Sequence, residues 1–220
     1  MGGINMNDLA SDIRGVVLSG KEIEILRFIH EFGFCEIKQI MKRFAMTKTP
    51  AYLHMQILMR LGLVIHARFI PGQAGSYYLT HKAVSLLELD LPIVRKISRG
   101  TYEHHLAVID IHLRLKELHH DAVWITERRL LRNKYADRSS QNEHLPDGVL
   151  IFADGIRYAI EVELSMKTKK RLEEILLGYG LQNTFKEVWY FCSPITFHIV
   201  NELAQNMPYV RTYNNREFLI

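Results

Sequence analysis

Apolar positions recur at helical spacing along the first third of the chain. Ile23, Ile25, Leu26 and Ile29 follow a capping Ser19 and stop near Gly33, which predicts a first helix. Ile37, Ile40, Met41 and Phe44 predict a second. Thr49 as cap and Pro50 at the first helical position open a third. It turns Leu53, Ile57, Leu58 and Leu61 inward and stops at Gly62. Met55 and Met59 on this helix read as core filler. The pattern then changes period. Residues 63–70 are apolar and β-branched, 71–75 are a Pro-Gly turn, and 76–80 read as a return strand. A fourth helix follows over about 81–89.

The second half mixes both periods. Leu106, Ile109, Leu113 and Leu118 mark one face of a helix over 101–120. Residues 123–131 read as a strand, and 133–144 as a polar segment without periodicity. Residues 148–153 form a continuous apolar strand, Asp154-Gly155 a turn, and 156–164 a strand with clean alternation. A helix is expected over 167–182, a strand over 187–193, a helix over 195–207 and a short strand over 209–213. The expected class is α+β. Three helices and a hairpin give the order of a winged helix, and Tyr77 to Lys82 resembles the end of the wing in winged-helix DNA-binding domains.

Charge divides the chain where the pattern does. The net charge is +4 over 220 residues. Residues 1–100 carry 13 Lys and Arg against 8 Asp and Glu, whereas residues 101–220 carry 15 against 16. Pro92 and the cations Arg95, Lys96 and Arg99 mark a linker, so the boundary is set near 100. This gives a basic domain over 1–100 and a near-neutral one over 101–220. A basic half invites a nucleic-acid partner. Lys48, Tyr52, Gln56 and Arg60 on the third helix, with Arg68 and Gln73 on the hairpin, are the candidate DNA contacts. Cations neutralise phosphates, and Gln56 can read a base edge. The same unit also suits protein contacts or dimerisation.

Composition excludes other classes. Apolar residues are 48% and charged ones 24%, which is globular usage. Cys35 and Cys192 are too few and too far apart for a zinc cluster or a disulfide framework. No apolar run reaches membrane-spanning length, and residues 1–18 lack the basic-then-apolar order of a signal peptide. A cytoplasmic protein is expected.

The chemistry concentrates on the alternating strand. Ile156, Tyr158, Ile160, Val162 and Leu164 share one face; Arg157, Ala159, Glu161 and Glu163 share the other. A solvated sheet face explains that pattern without function. Asp147, after Pro146, supplies a third acid at the mouth of the partner strand. A two-residue hairpin loop sets Asp147 opposite Val162, on the wrong face. A three-residue loop or a bulge sets it opposite Glu161 or Glu163. Three converging carboxylates suit Mg²⁺ or Mn²⁺.

Pro146-Asp147, followed by Glu161-Val162-Glu163, resembles the catalytic core of restriction-endonuclease-like nucleases. Glu163 stands where that signature has Lys. With an amino-terminal winged helix, the chain is similar to MobC/TraX-type plasmid relaxases and the replication-relaxation family over about residues 20–190. The resemblance implies a mixed central sheet and a metal-dependent, site-specific DNA nickase at an origin of transfer. Asp147, Glu161 and Glu163 would be the catalytic and metal-binding acids, with Mg²⁺ or Mn²⁺. Lys167, from the next helix, would supply the missing cation. Duplex DNA, a coupling protein and other relaxosome proteins are the implied partners.

Further candidates surround this set. Glu103 reads as a helix-start acid or an additional site acid, and Glu127 as a partner of Arg128 or Arg129 or an additional site acid. His104 or His105 can orient a phosphate; neither that pair nor His119-His120 is a ready-made metal site. Tyr158 reads as core and Tyr179 as a candidate nucleophile. Two other functions stay open. One is a non-catalytic DNA-binding accessory or replication protein with a decayed core, which the replacement of Lys favours. The other is a dimeric double-strand endonuclease.

Overall fold

A computed structural model describes residues 11–137, 144–165 and 167–220. The chain forms two compact units, Met1–Tyr102 and Glu103–Ile220.

In the first unit a hairpin of β1 (Ser11–Ile13) and β2 (Val16–Leu18) precedes α1 (Gly20–Phe32). Ser19 caps α1 in a full capping box with Glu22, and the helix ends at Gly33, whose φ is 89°. There follow β3 (Phe34–Glu36), α2 (Ile37–Arg43) and α3 (Lys48–Arg60). After these come β4 (Val64–Ala67), β5 (Ser76–Leu79) and α4 (His81–Leu86). β5 pairs antiparallel with both β3 and β4. β1, β2 and β3 are additions to the elements expected from sequence. Each has three residues, too few to establish a period.

Two expectations for α3 are corrected. The helix starts at Lys48 behind Thr47, two residues before Pro50, so Thr49 is not its cap. Its buried stripe is Ala51, Met55 and Leu58, spaced i, i+4, i+7. Leu53 lies nearly opposite Met55 around the helix and is 55% exposed.

The second unit is built on a five-stranded mixed sheet in the order β10-β9-β8-β7-β6. Its elements are α5 (Arg99–Leu118), which starts just before the division, β6 (Val123–Thr126), α6 (Glu127–Asp137) and β7 (Gly148–Ile151). β8 (Arg157–Glu163), α7 (Lys169–Gly180), β9 (Glu187–Cys192), α8 (Pro194–Ala204), β10 (Val210–Asn214) and α9 (Asn215–Phe218) complete it. β7 pairs antiparallel with both β6 and β8, whereas β9 pairs parallel with both β8 and β10.

The strand expected over 123–131 ends at Thr126, and most of the polar segment after it is α6. The Thr126 hydroxyl accepts from the N–H of Arg129 at 3.3 Å, a cap that turns the chain into a helix of good helix formers. Residues 138–143 lie outside the described residues. Leu118, expected on the buried face of α5, is 49% exposed at its last position.

Both faces of the sheet are covered. Ile160 and Val162 pack with Val108, Ile111 and Leu115 of α5, and Tyr158 and Leu164 lie against that cluster. Ala159 packs on the opposite face with Leu172, Leu176 and Tyr179 of α7 and Val200 of α8. The acid-bearing face of β8 is therefore interior, and the solvated-face explanation of Glu161 and Glu163 fails.

Candidate functional site

The hairpin between β7 and β8 decides where Asp147 stands. Phe152 donates to the Ile156 carbonyl at 3.0 Å, and Gly155 donates back to Phe152 at 2.9 Å. Three residues, Ala153, Asp154 and Gly155, thus form the loop. Gly155 takes φ 81°, the left-handed conformation this loop type requires. Gly148 consequently pairs with Ile160, and one step outward in the same register sets Asp147 opposite Glu161. The irregular hairpin is present.

Each of the three acids is held by a different basic side chain, His104, His144 or Lys167. Asp147 Oδ2 accepts from the backbone N–H of Val162 at 2.7 Å and meets His104 Nε2 at 3.2 Å. Glu161 is 4% exposed; its Oε1 meets His144 Nε2 at 2.7 Å and accepts from the Tyr179 hydroxyl. Glu163, equally buried, pairs with Lys167. Lys167 precedes α7, whose cap is Thr168, so it acts from the loop and not from the helix. The Glu163 carbonyl is fixed by the N–H of Ser193 at 2.9 Å and the Thr196 hydroxyl at 2.6 Å.

Electrostatics bind the cluster together. Burial alone would lower the pKa of His104, but its hydrogen bond and charge interaction with Asp147 outweigh that, and it is raised. His144 is raised in the same way by Glu161. Glu161 is raised first by burial and then by the charge of Asp147, against the lowering effect of His144. Glu127 is raised by desolvation of its carboxyl and by Asp147 and Glu161, although the residue as a whole stays exposed. It therefore belongs electrostatically to this cluster. Glu103 is exposed at the second unit's start.

Tyr179 is corrected as a nucleophile. It is buried, donates to Glu161, and its pKa is pushed far up by burial and by that carboxylate. Tyr190, paired with Glu161 across β8 and β9, is 1% exposed, and its hydroxyl has no hydrogen-bond partner among the described residues. Burial, then Glu161 and Glu163, push its pKa well up.

His144 and Tyr190 were missed in the sequence. His144 sits in a segment without periodicity, and its one clue is its place three residues before Asp147. Tyr190 follows from the β8–β9 register, which sequence alternation does not give. Among the described residues, no group of three or more His, Cys, Asp or Glu is disposed to hold a metal ion. Cys35 and Cys192 are free and buried.

In the first unit, Lys48, Gln56, Arg60, Arg68 and Gln73 are exposed and Tyr52 is half-buried. The Lys48 ammonium lies 5.9 Å from the centre of the Tyr52 ring. Between Ile37 and Leu87 the chain has seven Lys and Arg and no Asp or Glu. That run is more strongly basic than the half as a whole. Among the described residues, no helix is long and apolar enough to cross a membrane.

Comparison of the chain with protein-family models, curated proteins and solved structures gives no match.

Proposed function

We propose that the chain is a metal-dependent DNA nickase, with a winged-helix reader in its first unit and a restriction-endonuclease-like core in its second. The observation that carries this reading is the three-residue loop, which brings Asp147 into register with Glu161. The donor type suits a hard divalent cation, which would have to draw the carboxylates together, since among the described residues no three of them are already disposed around one. Glu127, Asp147 and Glu161 are oxygen donors, and the charge of Asp147 raises the proton affinity of the other two. A divalent ion would relieve the same repulsion that a proton relieves. Asp147 and Glu161 would hold Mg²⁺ or Mn²⁺, with Glu127 or Glu163 as the further carboxylate. When bound, such an ion supplies Lewis-acid polarisation of the phosphate and an activated water.

The chain's own groups have separate tasks. Lys167, on the loop before α7, offers a half-exposed cation to phosphate charge. His104 orients Asp147, and His144 with Tyr179 orients Glu161. The basic first unit holds the duplex, with an origin of transfer as its target and relaxosome proteins as neighbours.

The test is a supercoiled plasmid carrying the protein's own origin, incubated with Mn²⁺ or with EDTA. Open-circular product with Mn²⁺ alone is expected; no relaxation in either condition refutes the enzyme. Linear product would assign a double-strand endonuclease. A second reading rests on the pairing of Asp147, Glu161 and Glu163 with His104, His144 and Lys167. In it, protein cations have replaced the metal permanently, and the core is a binding module of a DNA-binding accessory protein.

A further inference from the structure

The exposed face of α3 carries chemistry suited to one kind of base step. Thr49, Leu53, Gln56 and Arg60 are all exposed and recur at spacings of four, three and four. A single exposed leucine is ordinary on a protein surface. This one shares a stripe with an exposed glutamine and lies between the cations Lys48 and Arg60. The first turn of α3 contains no acid, and Arg60 lies in its last turn. The acid-free run from Ile37 to Leu87 surrounds it. The surface is complementary to a polyanion.

The dimensions agree with a major groove. Lys48 and Arg60 are twelve residues apart, about 18 Å along the axis at 1.5 Å per residue. That exceeds the groove's width of about 12 Å, so the two cations reach the phosphates on either side. Leu53 and Gln56 are about 4.5 Å apart along the same axis. That is about one turn on the same exposed stripe, so the two side chains reach the same or adjacent base pairs. Gln56 presents the donor and acceptor that pair with adenine N6 and N7 in the major groove. Leu53 presents an apolar group of the kind that packs on a thymine C5 methyl.

Resting on the DNA-binding reading above, we infer that α3 selects an A·T-containing site, with Gln56 reading adenine and Leu53 reading the methyl of a thymine in the same or the next base pair. Discrimination at these positions then comes from one amide and one apolar contact, and affinity comes from the flanking cations.

The full chain is first used to enrich duplexes from a pool with a randomised core. Each thymine of the best duplex is then replaced singly by uracil, which removes only the C5 methyl. One position is expected to lose about fourfold in affinity, the worth of one buried methyl group. Leu53→Ala binds the thymine duplex about fourfold more weakly and shows no further loss on uracil replacement. Gln56→Ala loses about tenfold of its preference for adenine at one neighbouring position. An enriched site lacking thymine, or uracil replacement without effect, overturns the inference and leaves DNA binding intact. A uracil penalty that persists in Leu53→Ala also overturns it. Absence of duplex binding at any composition refutes the DNA reading itself and the inference with it.

Discussion

Asp147 accepts the backbone N–H of Val162 at 2.7 Å, across a pair of strands whose register sets it opposite Glu161. One side chain thus both closes the hairpin's open end and adds a carboxylate to a buried acidic site. The two roles separate by substitution. In Asp147→Asn the side-chain oxygen still accepts from Val162, but the charge is gone. Nicking by Asp147→Asn is expected to fall at least about a hundredfold, in the range for loss of a catalytic electrostatic group. Binding to duplex DNA stays unchanged. Activity assays beside fluorescence anisotropy check this division, and joint loss of both contradicts it.

The pH dependence of stability follows from the same contacts. His104 is raised in the folded protein, so the fold holds its proton more tightly than the unfolded chain does. That contribution is complete below about pH 6.5, the unfolded value, and is lost as pH rises through the higher folded value. His144 has the same sign. Glu161 is also raised, so its contribution is complete below about pH 4.3 and lost above. The urea midpoint is therefore expected to fall as pH rises above about 6.5. Asp147→Asn lowers the His104 pKa, because burial remains while the carboxylate charge does not. Imidazole chemical shifts followed against pH read this directly.

Gly148 is fixed by its neighbour and not by its backbone. A Cβ there would stand 2.1 Å from the Trp124 ring. Gly148→Ala is expected to cost about 1–3 kcal/mol, the usual range for overpacking a core. Trp124→Leu in the same chain should recover part of that loss. Urea unfolding of the single and double variants measures the coupling.

Much of this arrangement is visible in the residues, but not all of it. Alternation from Ile156 to Leu164 separates the acids from the core-facing residues, and the structure keeps that division. What alternation does not show is whether the acid face meets water or a helix. Leu172, Leu176 and Tyr179 of α7 settle this through tertiary packing. Asp154-Gly155 marks a turn, but loop length depends on the Phe152–Ile156 pairing, which a turn dipeptide does not specify. Leu130 and Leu131, adjacent after β6, read equally as strand or helix, and the Thr126 cap decides for α6. Of the four apolar residues of α3 expected inward, Leu58 lies in the buried stripe. The smaller Ala51 and the unbranched Met55 complete it, which leaves Leu53 exposed.

Affinity and salt dependence separate the cations of α3 from its base-reading residues. Lys48→Ala and Arg60→Ala are expected to weaken binding to all duplexes alike. Each should reduce the salt slope of log affinity by about 1, since each removes one phosphate contact. Glu161→Gln, in the other unit, should leave that slope unchanged. Titrations at several salt concentrations distinguish these outcomes, and a slope unaffected by both lysine and arginine removal places the duplex on another surface.

The two buried tyrosines beside Glu161 should respond oppositely to loss of their hydroxyls. Tyr179 donates to the Glu161 carboxylate, which at 4% exposure has little access to water and otherwise relies on His144. Tyr179→Phe leaves a buried acceptor short of one charged hydrogen bond and is expected to cost about 1.5–3 kcal/mol. Tyr190 faces the same strand from β9, yet its hydroxyl is buried without a partner. Its removal relieves a desolvation cost with no bond to lose. Tyr190→Phe is therefore expected to be neutral or stabilising, by up to about 1–3 kcal/mol. Paired urea titrations decide the matter. Equal losses in both variants would mean that the Tyr190 hydroxyl has a partner in solution, such as an ordered water.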